Sequence, residues 1–344
     1  MAVSIKDIAR RADVSIATVS MVMNDTPGIS EKTRERVRNI IKEMNYIPNA
    51  RARSISIGRA GIIALITPPW KAAFSDPYYT EMIRGALEAA RAKENQLMLE
   101  ICDSHFLEQK LWKKLFDSKK IDGMLVATPY LDQDYIKELH DLGKPVLLIN
   151  GERPDLPDMQ SIGYDDFRCG LEATNYLLQL GHSRIAHISG PANQASAINR
   201  KEGYKKALTN AGLPVLDDYI VDGNYMPLEA RDAIIKLLSL DKDKIPTAIF
   251  CANDTMGASV ITYLTEQGYS VPLDFSVIGV DDNSIASEIQ PGLTTFKQDI
   301  FSLAYNVTTR FLDNFDNKSP ADRISMRIPM EMVIRESCAR YQTL

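Results

Sequence analysis

Residues 5–24 read Ile-Lys-Asp-Ile-Ala-Arg-Arg-Ala-Asp-Val-Ser-Ile-Ala-Thr-Val-Ser-Met-Val-Met-Asn. Their periodicity describes two short helices around a tight turn. In the first, Ile5, Ile8, Ala9 and Ala12 fall at helical spacing and make one apolar stripe. Asp13 and Val14 form the turn, and the Ser15 hydroxyl is placed to cap the second helix. There Val19, Val22 and Met23 face inward, leaving Ile16, Ala17, Thr18, Ser20 and Met21 outside. Helices this short bury too little alone. A third is expected from Ser30, striped by Val37, Ile40, Ile41 and Met44. Three short helices with hydroxyls and small residues at the exposed start of the second describe a helix-turn-helix that reads DNA.

The run Ile5-Lys6-Asp7-Ile8-Ala9, Val14-Ser15, Thr18-Val19-Ser20 and Asn24 continues into Ser30-x-x-Thr33-Arg34 and Asn45-Tyr46-x-Pro48-Asn49. This resembles the head of the lactose/galactose repressor family of bacterial transcriptional regulators. The resemblance implies phosphate contacts from Ser4, Ser15, Thr18, Ser20, Asn24, Ser30 and Thr33 together with the head's arginines. Ile16, Ala17 and Met21 are expected to meet base edges. The family commonly has Arg at the place of Met21, so a bidentate guanine contact is lost there and apolar reading remains. Pro48 fixes the chain, Asn49 can cap, and residues 50–58 are short and polar except at Ile55 and Ile57. They resemble the family's hinge helix, with Asn49 and Arg53 at the DNA and Ile55, where the family usually has Leu, as a minor-groove wedge.

Net charge is −5, but residues 1–59 carry eleven Lys and Arg against six Asp and Glu, so the head is +5 and the remainder −10. A basic head on an acidic body suits a polyanion for the head alone. The 344 residues allow two or three domains. No apolar run reaches the ~18 residues of a membrane span, and the N-terminus lacks a secretory pattern. A cytoplasmic protein without membrane contact is therefore expected. Cys102, Cys169, Cys251 and Cys338 lie far apart without metal-ligand spacing, as free thiols would.

From Gly61 the pattern alternates strand and helix. Strands are expected at 62–66, 97–101, 124–127, 146–149, 185–189, 248–251, 277–280 and 326–334. Helices are expected at 79–91, 107–116, 135–142, 167–180, 196–211, 228–240 and 255–267. Apolar strands in repeated βα units imply parallel sheets covered on both faces, here in two series and so two lobes.

Ligands of open α/β sheets bind beyond the carboxyl ends of the strands. Phe74 and Tyr78 follow the first strand, Asn150 the fourth, Asn253 the one at 248–251, and Asp281 the one at 277–280. Amides, carboxylates and aromatic faces at one edge suit a sugar. Taken singly, Asn253 reads as a helix cap.

This body resembles the family's effector domain, of periplasmic sugar-binding fold, through Gly181-His182-x-x-Ile185-Ala186, Asn253-Asp254-x-Met256-Gly257, Ile278-Gly279-x-Asp281-Asp282 and Leu293-Thr294-Thr295-x-x-Gln298. By that resemblance Arg200 is the ligand clamp, Asn150, Asn253, Asp281 and Gln298 are polar contacts, and Tyr225 is the stacking ring. An arginine also suits a carboxylate or phosphate.

The expected architecture is a small all-α helix-turn-helix head (1–47), a hinge helix or linker (48–60), and an α/β body of two doubly wound parallel-sheet lobes (61–344) of the type I periplasmic-binding-protein kind. The first lobe is expected at about 61–161 plus 295–325, the second at about 162–294 plus 326–344. The expected function is a transcriptional regulator, a repressor, controlled by a small-molecule effector between the lobes and acting on near-palindromic double-stranded operator DNA as a homodimer. No leucine-heptad tail is present in the sequence, so tetramers through such a tail are not expected. No catalytic residue, cofactor or metal is expected: phosphate-loop, dinucleotide and G-x-S-x-G motifs are missing, and the four histidines are scattered. The rivals are a free-standing sugar-binding protein, or a regulator answering a nucleobase or a protein corepressor.

Overall fold

In the computed structural model, residues 3–23, 25–46, 59–68, 77–132, 134–316 and 325–342 are described. The hinge expected at 49–57, with Asn49, Arg53 and Ile55, lies outside them, as do Asn24 and Phe74. The chain divides into two compact units, Met1–Ala60 and Gly61–Leu344.

The first unit holds α1 (Ile5–Arg11), α2 (Ile16–Met23) and α3 (Glu31–Glu43). Its core is Ile8, Ala9, Ala12, Val19, Val22 and Val37, the stripes that helical spacing picks out. Each helix begins on a serine. The Ser4 N–H donates to the Asp7 carboxylate at 3.0 Å. Ser15 Oγ accepts from the Thr18 N–H at 3.0 Å, and Ser30 Oγ from the Thr33 N–H at 3.3 Å. These bonds satisfy orphan donors of the first turns.

The second unit carries, in order, β1 (Ile62–Thr67), α4 (Pro77–Ala92), β2 (Gln96–Ile101), α5 (Ser104–Glu108), α6 (Leu111–Asp117), β3 (Gly123–Ala127), α7 (Tyr135–Asp141), β4 (Val146–Ile149), β5 (Ser161–Tyr164) and α8 (Asp166–Gln179). It continues through β6 (Ile185–Ser189), α9 (Ala195–Asn210), β7 (Ile220–Asp222), α10 (Pro227–Leu238), β8 (Ala248–Cys251), α11 (Asp254–Glu266), β9 (Ser276–Ile278) and α12 (Ser284–Glu288). It closes with β10 (Thr295–Lys297), α13 (Ile300–Asp316), β11 (Ser325–Ile328) and β12 (Glu331–Val333).

Two parallel sheets result. One has the order β11-β5-β4-β3-β1-β2, the other β7-β6-β8-β9. β10 and β12 pair antiparallel and join the second sheet through bridges from Thr294 to Ile278 and from Lys297 to Asp281. Residues 161–164 and 325–328 thus belong to the first lobe and 295–297 to the second, a few residues from the division expected along the chain.

Two expected elements are split. The helix expected at 107–116 is two, because Lys110 takes a left-handed φ of 46° between them. The strand expected at 326–334 is β11 and β12, which lie in different sheets. Pro329, with no N–H to give a ladder, stands where the chain crosses between lobes.

α8 and α9 touch backbone to backbone. A Cβ on Gly170 would lie 2.0 Å from the Arg200 carbonyl oxygen, and one on Gly203 2.1 Å from that of Phe167. Only glycine permits this approach, and it brings the start of α8 against Arg200.

Candidate functional site

On the head, Ser15, Ile16 and Ala17 are exposed at the start of α2, and Thr18, Ser20 and Met21 are partly exposed. Ser4 and Ser30 are exposed, and Thr33 is partly so. The described residues expected to contact DNA are therefore all solvent-accessible. Several hydroxyls already have partners: Ser15 and Thr18 meet at 2.9 Å, and Ser30 donates to Thr33 Oγ1 at 2.9 Å. Not every arginine is open to phosphate. Arg34 pairs with Asp25 at 3.0 Å and donates to the Thr26 carbonyl at 3.1 Å, and Arg38 reaches the same Asp25 oxygen at 2.5 Å.

In the body, a cavity of about 210 Å³ opens between the lobes beyond the carboxyl ends of the strands. Of the expected ligand residues, Tyr78, Asn150, Arg200, Tyr225, Asn253 and Asp281 line it. Gln298 does not: it sits behind Asn150, whose Nδ2 lies 3.5 Å from its Oε1, and turns its own Nε2 to the Met330 sulfur at 3.5 Å. The walls also include Thr128 and Tyr130 after β3, Pro191, Gln194 and Ser196 after β6, and Asn224, Met226 and Thr255. These follow strand ends as the others do, so the strand-end rule applied to β3 and β6 would have found the first five.

Each wall residue is set by its element. Asn150 follows β4 with φ 48°, a left-handed turn that asparagine tolerates. Its Oδ1 accepts from the Tyr164 N–H at 3.0 Å, and its amide donates to the Tyr78 hydroxyl. Asn253 caps α11 through the Met256 N–H at 2.9 Å while it faces the cavity, so the cap and the wall are one residue. Asp281 has φ 126° and Asp282 φ 56°, conformations side chains rarely adopt. They are held by the Asp281 N–H on the Phe296 carbonyl at 2.8 Å and by Arg335 on the Asp282 carboxylate at 2.6 Å. Gly190 leaves room for the Tyr225 ring, since a Cβ there would come within 2.3 Å of it. The Tyr225 hydroxyl meets Ser196 Oγ at 3.0 Å, and burial pushes its pKa up to about 12.

Arg200 is 4% exposed. Its Nε donates to Asp166 Oδ1 at 2.8 Å, Nη2 lies 2.8 Å from the same oxygen, and Nη1 donates to the Ala252 carbonyl. Glu202, two residues on, pairs instead with Lys205 at 2.9 Å. Burial alone lowers the Arg200 pKa, but Asp166 beside it carries the net shift upward, so the guanidinium stays charged. Burial pushes the Asp166 carboxyl up, and Arg200 pulls against that. The lobes meet again around the cavity: Leu131 N–H donates to the Asn193 carbonyl at 2.7 Å, and Asn199 donates to Glu152 at 2.5 Å.

A helix-turn-helix head ahead of a two-lobed α/β body with a cleft between the lobes is matched along its whole length by known proteins. Residues 4–49 match the bacterial regulatory proteins of the lacI family, and residues 174–338 the periplasmic binding protein-like domain. The chain is 34% identical to HTH-type transcriptional regulator DegA of Bacillus subtilis (strain 168), over 100% of both chains. The chain belongs to the LacI family. Other LacI-family relatives are catabolite control protein A of Priestia megaterium, 32% identical over 98% of this chain and 99% of that one, and HTH-type transcriptional repressor PurR of Pasteurella multocida (strain Pm70), 32% identical over 97% and 98%. Among solved structures, the lac repressor dimer bound to operator and the anti-inducer ONPF superposes with a TM-score of 0.85 at 26% identity, over 98% of this chain and 100% of that one. As a LacI-family member the protein is a sequence-specific DNA-binding transcriptional regulator under effector control. Among the described residues no helix is long and apolar enough to cross a membrane, and no cluster of side chains suits a metal ion.

Proposed function

We propose that this regulator is a cytoplasmic repressor without enzymatic activity, acting as a homodimer on near-palindromic operator DNA, and that its effector is a sugar or sugar derivative held between the lobes. The observation that carries the reading is the convergence of Tyr78, Arg200, Tyr225, Asn253 and Asp281 from both lobes on one cavity. Planar polar groups for hydroxyls and tyrosine faces for C–H surfaces are what a pyranose or furanose requires. Two similar structures carry sugars: a CelR–cellobiose complex (TM-score 0.74, 26% identity, 97% of this chain and 99% of that one) and a LacI-family regulator of Enterococcus faecium with bound ribose (TM-score 0.70, 25% identity, 82% and 100%).

An effector that touches both lobes favours their closed arrangement by its difference in affinity for the two states, and can shift operator binding by no more than that. Homodimerisation is supported by Leu228 and Ile235, two apolar side chains 73% and 43% exposed on one face of α10. A thermal-shift screen of sugars against the full chain tests the effector, because a ligand at a hundred times its dissociation constant adds about 2.7 kcal/mol. Gel shifts on selected palindromic DNA, with and without each hit, then test control. A hit that stabilises the protein and leaves operator affinity unchanged would refute it.

A further inference from the structure

We propose that Asp166 sets the charge of the ligand: the cleft takes an uncharged, hydroxyl-bearing molecule and rejects its carboxylate or phosphate counterpart. The inference rests on the reading of the cavity as a sugar site and narrows it.

Among the described residues, Arg200 is the cationic side chain lining the cavity. A guanidinium in such a place ordinarily matches a carboxylate or phosphate through two parallel bonds. Here that face is occupied. Asp166, itself 7% exposed, meets both Nε and Nη2 at 2.8 Å, and the Ala252 carbonyl accepts from Nη1. An incoming anion would compete with a carboxylate already at contact distance and enclosed by protein. It would also enter beside Asp281, a second carboxylate on the same wall. In the small pocket adjoining through Asn150 and Ser196, the other cation, Arg327, is likewise matched, by Glu152 at 2.5 Å.

The five N–H groups of a guanidinium are not exhausted by these contacts: one on each terminal nitrogen is left. They suit a hydroxyl oxygen, which asks for a donor and not for net charge. Asn253, Ser196 and Thr255 on the same walls are uncharged donors and acceptors of the same kind. Asp166 therefore turns a charged clamp into a neutral one, and discrimination comes as much from repelling the acid as from holding the sugar.

The arrangement is local to α8 and α9. The close approach at Gly170 and Gly203 seats Asp166, the first residue of α8, against the Arg200 side chain.

The test is calorimetry and thermal unfolding of the full chain with matched series. These are D-glucose, glucosamine, glucuronate and glucose 6-phosphate; D-galactose and its counterparts; and D-ribose with ribose 5-phosphate. In the series that binds, the neutral parent is expected to bind at least tenfold more tightly than its acid or phosphate ester. Asp166→Asn, which keeps shape and one acceptor, is expected to narrow that ratio at least tenfold. Inorganic sulfate, compared with chloride at equal ionic strength, should raise the melting temperature of Asp166→Asn and leave the native chain unmoved. An acid or phosphorylated sugar bound by the native chain as tightly as its parent would overturn the proposal while leaving the sugar reading intact. Should no series bind, the sugar reading fails, and the sulfate comparison still judges Asp166: equal stabilisation of both proteins would show that Arg200 is open to anions. If Asp166→Asn does not fold, the native chain's ratio and its response to sulfate decide by themselves.

Discussion

Arg200 and Asp166 show how burial changes what a single substitution measures. Arg200→Ala leaves the Asp166 carboxylate enclosed without its partner, and breaking a buried pair in this way costs about 3–5 kcal/mol. Replacing both, as Arg200→Met with Asp166→Leu, should cost clearly less in urea unfolding of the body, because no orphan charge is left. A larger loss in the double variant would contradict this account. His187 makes a second residue-scale prediction. It is fully buried between Tyr204 and Phe250, with ring centroids 5.4 and 4.6 Å away, and its Nδ1 lies 3.0 Å from the Phe250 carbonyl. Burial lowers its pKa from 6.5 to about 3. The unfolded chain therefore takes up a proton below pH 6.5 that the folded chain refuses until about pH 3, so stability from His187 is full above pH 6.5 and lost as pH falls. His187→Phe should flatten that acid limb in equilibrium unfolding at pH 4–6.5. Asp254 works in the opposite sense: burial raises it from 3.8 to about 7, and its contribution is lost as pH rises through that window, so the comparison must be variant against native.

At the scale of elements, the serines that open α1, α2 and α3 serve the fold before they serve DNA. Ser30 accepts the Thr33 N–H and donates to the Thr33 hydroxyl. Ser30→Ala should lower the stability of the head by about 1 kcal/mol, read from thermal unfolding of residues 1–60, in addition to any loss of operator affinity. No change in stability would mean that the cap is not formed in solution. The long apolar strands and amphipathic helices were legible because their period is set by the chain itself. β5, β7 and β10 were not: they are three or four residues long, and β5 reads Ser-Ile-Gly-Tyr, without an apolar run. What makes β5 a strand is the pair of neighbours, β4 and β11, that claim its backbone groups.

For the whole molecule, charge is divided between parts, +5 on residues 1–59 and −10 on the rest. Operator affinity should fall on the order of a thousandfold or more between 50 and 200 mM salt, as counterions released from DNA return. A fragment from Gly61 onward should show no specific DNA binding at any salt, and gel shifts that found it would place the DNA site elsewhere. Effector binding, confined to the body, should survive in that fragment with an unchanged dissociation constant.

The sequence by itself determined the helix-turn-helix, the two series of βα units, and the residues at the ends of β1, β4, β8 and β9, because periodicity, caps and strand ends are local properties. Only the tertiary structure decided who partners whom. Asn150 braces Tyr78, and Gln298 stands behind the wall and not on it. Arg200 answers Asp166, thirty-four residues away. That last pairing has no signature along the chain. It exists because two glycines let two helices touch, and because a buried guanidinium must find a counter-charge wherever the fold supplies one.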